Sequence, residues 1–238
     1  MARKGGDTRL KRQSAPIYWE ILRKQKRFVL NSSPGPHKRQ KSYPLGIFLR
    51  DVLKKAANMR EARQVLSKGK IKVDGKIRMD VNFPLGLMDV LELVPTRQFF
   101  RLVPKDSKLL VPVEISDNEK GIKFTKISSK VTIRGGKLQY GFHDGNTIVT
   151  DQPLSVGDTC LLNLEKKIIQ DVVKFQKGNI GLITSGDNAG SLGKIEDIKD
   201  GLFSLPKRAI LSVEHRTIEL PAEMVMAVGT ETPSIKVS

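Results

Sequence analysis

The stretch MREARQVLSKGKIKVDGKIRMD, Met59 to Asp80, changes its hydrophobic repeat halfway along, and that change decides the fold. Ala62, Val65 and Leu66 recur at helical spacing behind Asn58, a residue suited to capping a helix N-terminus. Gly69 stands where a helix ends in a left-handed residue. From there the pattern alternates: Ile71 and Val73 point one way, Lys70 and Lys72 the other, and Asp74-Gly75 is a two-residue hairpin turn. Carried past the turn, the alternation predicts Lys76 and Arg78 on the same polar face as the lysines. The apolar positions are committed to a core, which leaves Arg60, Arg63, Lys68, Lys70 and Lys72 projecting from a rigid helix-plus-hairpin frame.

Upstream, Leu45, Phe48, Leu49, Val52, Leu53 and Ala56 fall on one face of an amphipathic helix. Arg50 and Lys54 share its opposite side, and Asp51 and Lys55 are placed for a supporting i,i+4 pair. Downstream, Phe83 to Gly86 reads as a loop and LMDVLELV as a strand closing a small sheet. Residues 42–103 are therefore expected to form a compact αα-plus-β-hairpin module. Residues 1–41 separate basic clusters with Pro and Gly and predict an extended arm, with one turn of helix at Tyr18 to Leu22. Such an arm alone buries too little apolar surface to offset its ordering entropy, so its shape is expected to depend on a partner. Trp19, the only tryptophan, either anchors the arm on the next domain or stacks on a base.

From Pro104 to about Val173, short apolar bursts broken by Gly-Gly, Asp-Gly and Pro predict a central all-β domain, 104–173. Glycines at 178, 181, 186, 190 and 193 suit a small barrel with tight corners over 174–238. The expected class is α+β and multi-domain.

Charge separates these segments. The 238 residues carry a formal net charge of +17. Residues 1–41 hold 12 Lys and Arg against 2 acids, residues 42–103 hold 12 against 6, and the remainder is nearly balanced. Such an excess implies an anionic partner that meets the N-terminal part. The single cysteine, Cys160, can form no intrachain disulfide or CxxC site. No stretch of about 18 apolar residues and no long amphipathic helix points to a membrane. There is no HExxH, no GxSxG and no GxxxxGK[ST]; His37, His143 and His215 are scattered, and Glu196-Asp197 sits in a loop-like setting. No catalytic residue, metal, cofactor or small-molecule substrate is expected.

RLKRQSAP with Trp19, SPGPHKRQKSYPLGIFLRDVLKKA, the Met59–Asp80 stretch, NFPLGLMDVLEL and GNIGLITSGDNAGSLGKI together resemble the archaeal and eukaryotic small-subunit ribosomal protein S4e family. The resemblance covers essentially the whole chain in the family's domain order. It implies an S4-type RNA-binding module, a middle β domain and a KOW module with an SH3-like barrel. It also implies a structural role on small-subunit ribosomal RNA among neighbouring ribosomal proteins, in the cytoplasm. Transferred residue by residue, the family's RNA-facing side corresponds to Arg60, Arg63, Lys68, Lys70 and Lys72; Lys76 and Arg78 are added from the hairpin geometry. The arm signature matches at Leu10, Lys11, Arg12, Ala15, Pro16 and Trp19, with Lys38 and Arg39 in the following basic cluster. Arg9 stands where the family commonly has His. Ser185, Ser191 and Asp187 depart from the KOW pattern and leave Lys194 nearly alone, which shifts that loop toward a protein-facing or scaffold role. The expected RNA-binding set is thus Arg9, Lys11, Arg12, Trp19, Lys38, Arg39, Arg50, Lys54, Arg60, Arg63, Lys68, Lys70, Lys72, Lys76 and Arg78. An RNA-modifying enzyme is one rival, but the RLD-like strand motif of a pseudouridine synthase is missing. A KOW-type RNA regulatory factor is another, and it leaves the basic arm unexplained.

Overall fold

A computed structural model describes residues 9–22, 24, 26–106, 108–213, 216–230, 232 and 235; His215 and the first eight residues of the arm lie outside them. Strand β1 (Leu10–Lys11) pairs antiparallel with β2 (Phe28–Val29), and a 3-10 turn, Arg12–Ser14, follows β1. The turn of helix expected at Tyr18–Leu22 is not formed; the chain turns at Ile17–Tyr18 instead. The described part of the arm is packed, not extended free of the rest of the chain. Leu10, Ala15 and Trp19 are buried in one core with Tyr43, Leu45 and Phe48. The arm completes a core that the next segment begins, so a few apolar side chains suffice to hold it.

Helix α1 (Leu45–Ile47) runs on into a π-helical turn, Phe48–Val52, and α2 (Met59–Ser67) follows. Leu45, Phe48 and Leu49 face the core as their spacing predicts. The helix nevertheless stops short of Ala56: Lys54 takes a left-handed conformation at φ 53° and Lys55 N–H reaches back to the Leu49 carbonyl. Lys55 thereby leaves the helix surface. Asp51 pairs not with Lys55 but with its neighbour Arg50, which donates Nε and Nη2 to the two carboxylate oxygens at 2.8 and 2.7 Å.

Strand β3 (Tyr43–Pro44) pairs with β6 (Pro84–Leu85). A five-stranded antiparallel sheet runs in the order β5-β4-β7-β8-β9, built from β4 (Ile71–Val73), β5 (Lys76–Ile77), β7 (Val90–Leu93), β8 (Gln98–Lys105) and β9 (Lys108–Ile115). The boundary expected after residue 103 therefore falls inside β8. Pro104 marks no break, because it sits at an irregularity between the pairs Val103–Val111 and Lys105–Lys108, where its missing N–H removes no ladder bond.

A second antiparallel sheet has the order β12-β11-β10-β13-β14, from β10 (Ile122–Thr132), β11 (Leu138–Phe142), β12 (Thr147–Thr150), β13 (Thr159–Asn163) and β14 (Ile168–Val173). A third follows in the order β18-β17-β16-β15-β19, from β15 (Ile180–Ile183), β16 (Leu192–Lys199), β17 (Arg208–Val213), β18 (Arg216–Pro221) and β19 (Val225–Gly229). The molecule is mostly β with few helices. The three larger sheets meet on one apolar cluster that includes Met88, Val103, Phe124, Leu182 and Met226.

An ionic knot lies at the same junction. The Lys123 ammonium of β10 is buried between Asp74 at 2.7 Å, Asp89 at 2.6 Å and Asp144 at 3.2 Å, and His37 Nε2 reaches Asp89 at 3.0 Å. Burial works against the Lys123 charge, but the three carboxylates hold its pKa well above the ordinary value. Burial would likewise raise Asp89, yet His37 and Lys123 keep it well below the usual carboxylate range. Asp74 is pushed up to about 6 by burial against the pull of Lys123. His143 is pushed down to about 4, by burial first and Lys123 second. It accepts the Lys126 N–H on Nδ1 at 3.1 Å and meets the Leu87 carbonyl at 3.2 Å through Nε2, so it is set up as a neutral ring.

Candidate nucleic-acid interface

Helix α2 carries the most regular array of exposed cations, and its ends show why it is rigid. The Asn58 carbonyl Oδ1 accepts the Glu61 N–H at 2.9 Å, and the Glu61 carboxylate accepts the Ala57 N–H at 2.8 Å, so two N-terminal donors are satisfied reciprocally. At the other end Gly69 adopts φ 65°, its N–H bonds the Leu66 carbonyl, and Lys70 N–H reaches the Val65 carbonyl. That pair of bonds is a Schellman closure, which seats Lys68 and Lys70 on either side of the glycine. With Ala62 and Leu66 buried, Arg60, Arg63, Lys68 and Lys70 all stand in solvent on one continuous segment.

The hairpin arranges its charges differently from the expectation. Asp74 and Gly75 form the two-residue turn at φ 50° and 74°. A two-residue turn pairs odd positions with even ones: Val73 lies opposite Lys76 and Lys72 opposite Ile77. Lys76 and Arg78 therefore belong to the Ile71/Val73 side, not to the face of Lys70 and Lys72. Lys76 is still exposed because it stands at the hairpin tip, whereas Arg78 is half-buried with its guanidinium 4.3 Å from the Phe83 ring centroid. Lys72 is half-buried and 3.3 Å from Glu92 across the β4–β7 pair. A partly exposed pair of this kind is weak and can give way to phosphate.

The remaining expected residues divide sharply. Lys38 and Arg39 are exposed in and just before a 3-10 turn, Arg39–Lys41, and Lys54 is exposed at its left-handed bend. Lys11 and Arg9 are exposed on the arm. Arg12 spends its Nη2 on the Ile21 carbonyl at 2.6 Å, holding the arm's fold, and Arg50 is committed to Asp51. Trp19 cannot stack on a base from where it stands. Its side chain is buried, its Nε1 donates to the Ser42 carbonyl at 2.9 Å, and its ring already lies against Tyr43 at 5.9 Å. Tyr18 donates to the same carbonyl, and burial pushes its hydroxyl up to about 12. Exposed cations not singled out from sequence include Lys26, Arg27 and Lys41. Their signal was the run RKQKRF and the end of HKRQK, read there only as bulk charge.

Chemistry other than charge is sparse. Among the described residues no group of three or more His, Cys, Asp or Glu could hold a metal ion, and the carboxylates of the ionic knot are filled by Lys123. Cys160 is buried, which pushes its thiol up to about 12 and leaves it inert. No helix among the described residues is long and apolar enough to cross a membrane.

Three family models match the chain: the RS4NT (NUC023) domain over residues 4–40, the S4 domain over 47–91 and the Ribosomal family S4e over 96–169. The chain is 40% identical to the small ribosomal subunit protein eS4 of Pyrobaculum islandicum, with 96% of this chain and 98% of the relative covered. It is 38% identical to the protein of the same name from Ignicoccus hospitalis, over 99% and 97%. Its fold is similar to the crystal structure of the 30S ribosomal protein S4e from Thermoplasma acidophilum, at a TM-score of 0.68 and 30% identity, covering 80% of this chain and 96% of that one.

Proposed function

The chain belongs to the S4e family of small ribosomal subunit proteins, and from that premise we propose that it holds small-subunit ribosomal RNA through the exposed cations of α2 and its C-terminal turn. Its role is structural, as a constituent of the small subunit, and not that of an enzyme. The observation that supports the RNA contact is the placement of Arg60, Arg63, Lys68 and Lys70 in solvent on a helix capped at both ends. A rigid frame fixes the spacing of the charges, so the phosphates of one folded RNA junction can fit it by shape, while counterion release provides affinity. Lys38, Arg39 and Lys41 form a second basic contact at the end of the arm, and Lys76 a further one at the hairpin tip. Residues 1–41 act as the arm, the RNA-binding module runs from 42 past the expected end at 103 through the sheet that β8 and β9 complete, and the segments after it to 173 and over 174–238 act as central domain and KOW-type SH3-like barrel. The C-terminal part, with Lys194 the one base of the stretch GNIGLITSGDNAGSLGKI and Asp187 within it, faces neighbouring ribosomal proteins more than RNA. The protein works in the cytoplasm, on the ribosome.

Titrating the full chain against small-subunit ribosomal RNA at increasing salt tests this reading. If about six phosphates are neutralised, log affinity falls against log salt with a slope on the order of −4 to −5. Binding that is indifferent to salt would sink it.

A further inference from the structure

A cleft of 440 Å³ opens between the arm and the two helical segments. Val29, Leu30 and Met59, which pack against the core, are among its lining residues. Leu22, Phe28, the Arg50–Asp51 pair and Asn58 also line it. Leu22 is 65% and Phe28 47% exposed, so two of the arm's three exposed large apolar side chains, Ile17 being the other, border this one opening. Arg27 holds its guanidinium 5.5 Å from the Phe28 ring centroid, and Lys26 lines the same opening. The acid in the lining, Asp51, is already neutralised by Arg50.

We propose that this cleft receives one unpaired, outward-turned nucleotide of the ribosomal RNA, with its base stacked on Phe28 and its edge met by the Arg50–Asp51 pair. The inference rests on the RNA-binding reading above and adds a site for a base to a surface otherwise described by phosphates. Three features favour a nucleotide over an apolar segment of a neighbouring protein. The volume lies within the range of small-ligand sites. The rim is cationic, which suits a nucleotide's phosphate. The Arg50–Asp51 pair is a flat array: Nε–H and one Nη2 N–H are taken by the carboxylate, while the second Nη2 N–H and the outer carboxylate lone pairs offer a donor and an acceptor side by side, complementary to the edge of a base. An aromatic ring beside an arginine is the recurring platform for bases in single-stranded RNA sites.

The test uses the full chain and small-subunit ribosomal RNA. Phe28→Ala should weaken binding about 5- to 150-fold, the share of affinity carried by one stacked base, with the salt slope unchanged because no phosphate contact is lost. Phe28→Trp should bind like the parent. Arg50→Lys keeps the charge but not the planar fork, and should weaken binding with the same slope. In assembled subunits, ultraviolet crosslinking of the unmodified protein should place a nucleotide adduct on the peptide containing Phe28. If Phe28→Ala binds as tightly as the parent while the salt slope remains steep, this inference fails and the RNA reading stands. If the parent shows no salt-dependent binding, that reading fails as well. A crosslink from this peptide to another ribosomal protein, or none at all, overturns the cleft as a site for a base.

Discussion

Trp19 shows how a single side chain can be misjudged from its surroundings in sequence. Cutting it to alanine removes a large buried aromatic from the core that joins the arm to α1, and leaves Tyr43 without its stacking partner. The expected loss is about 3–5 kcal/mol, seen as a lower urea midpoint with an unchanged slope. A Trp19→Ala protein unfolding like the parent would remove Trp19 from the core account. Sequence alone leans toward an anchor yet keeps Trp19 in the expected RNA-binding set, because a lone aromatic on a basic arm also suits a base platform. What decides is the Ser42 carbonyl, far along the chain, which takes the indole N–H. Arg12 repeats the lesson, since the Ile21 carbonyl, brought close by the fold of the arm, takes a guanidinium N–H that composition counts as available.

Among the elements, α2 was legible at both ends. Asn58 and Gly69 are local signals, and local chemistry satisfies them. The hairpin was only half legible: the Asp-Gly turn is where it was expected, but its two-residue length reverses the face of everything beyond it, so Lys76 and Arg78 do not join the lysines. The left-handed Lys54 and the sheet continuing through Pro104 escaped for a different reason: a lysine at positive φ and a proline inside a strand each run against the residue's usual preference, although the contacts that hold them, Lys55 to Leu49 and the β8–β9 hairpin, are local. For α2 the consequence is measurable. Replacing Arg60 and Arg63 together by alanine should weaken ribosomal RNA binding across sequences and reduce the steepness of the salt dependence by about 1.5, two contacts' worth. Both side chains are exposed and alanine favours a helix, so thermal stability should stay near that of the parent. An unchanged salt slope would place the RNA elsewhere.

At the scale of the whole molecule, the ionic knot makes folding sensitive to acid. An unfolded histidine takes up a proton near pH 6.5, whereas folded His143 resists until about 4. The unfolded state binds more protons across that window, so this group's contribution to stability falls as pH drops through it, by at most about 3 kcal/mol. Asp74 acts the other way, because folding raises it from 3.8 to about 6 and the folded state holds the extra proton between those values. The histidine is isolated by comparing the parent with His143→Gln. Their urea midpoints should converge as pH falls from 7 to 4.5, with the parent losing more, and parallel profiles would contradict the assignment. The N-terminal charge excess and its anionic partner were legible at this scale, while the knot was invisible, since Lys123, Asp144 and His143 read as ordinary members of a balanced segment. The knot also sets a schedule for synthesis. His37, Asp74 and Asp89 emerge first and must wait for Lys123 and Asp144, since burying those carboxylates without the ammonium is strongly unfavourable. At roughly 5–20 residues per second the delay lasts on the order of seconds. During that interval the core that seats the arm is already outside while the junction beneath it stays open, so a fragment ending before Lys123 should hold the arm but leave Asp74 and Asp89 in water.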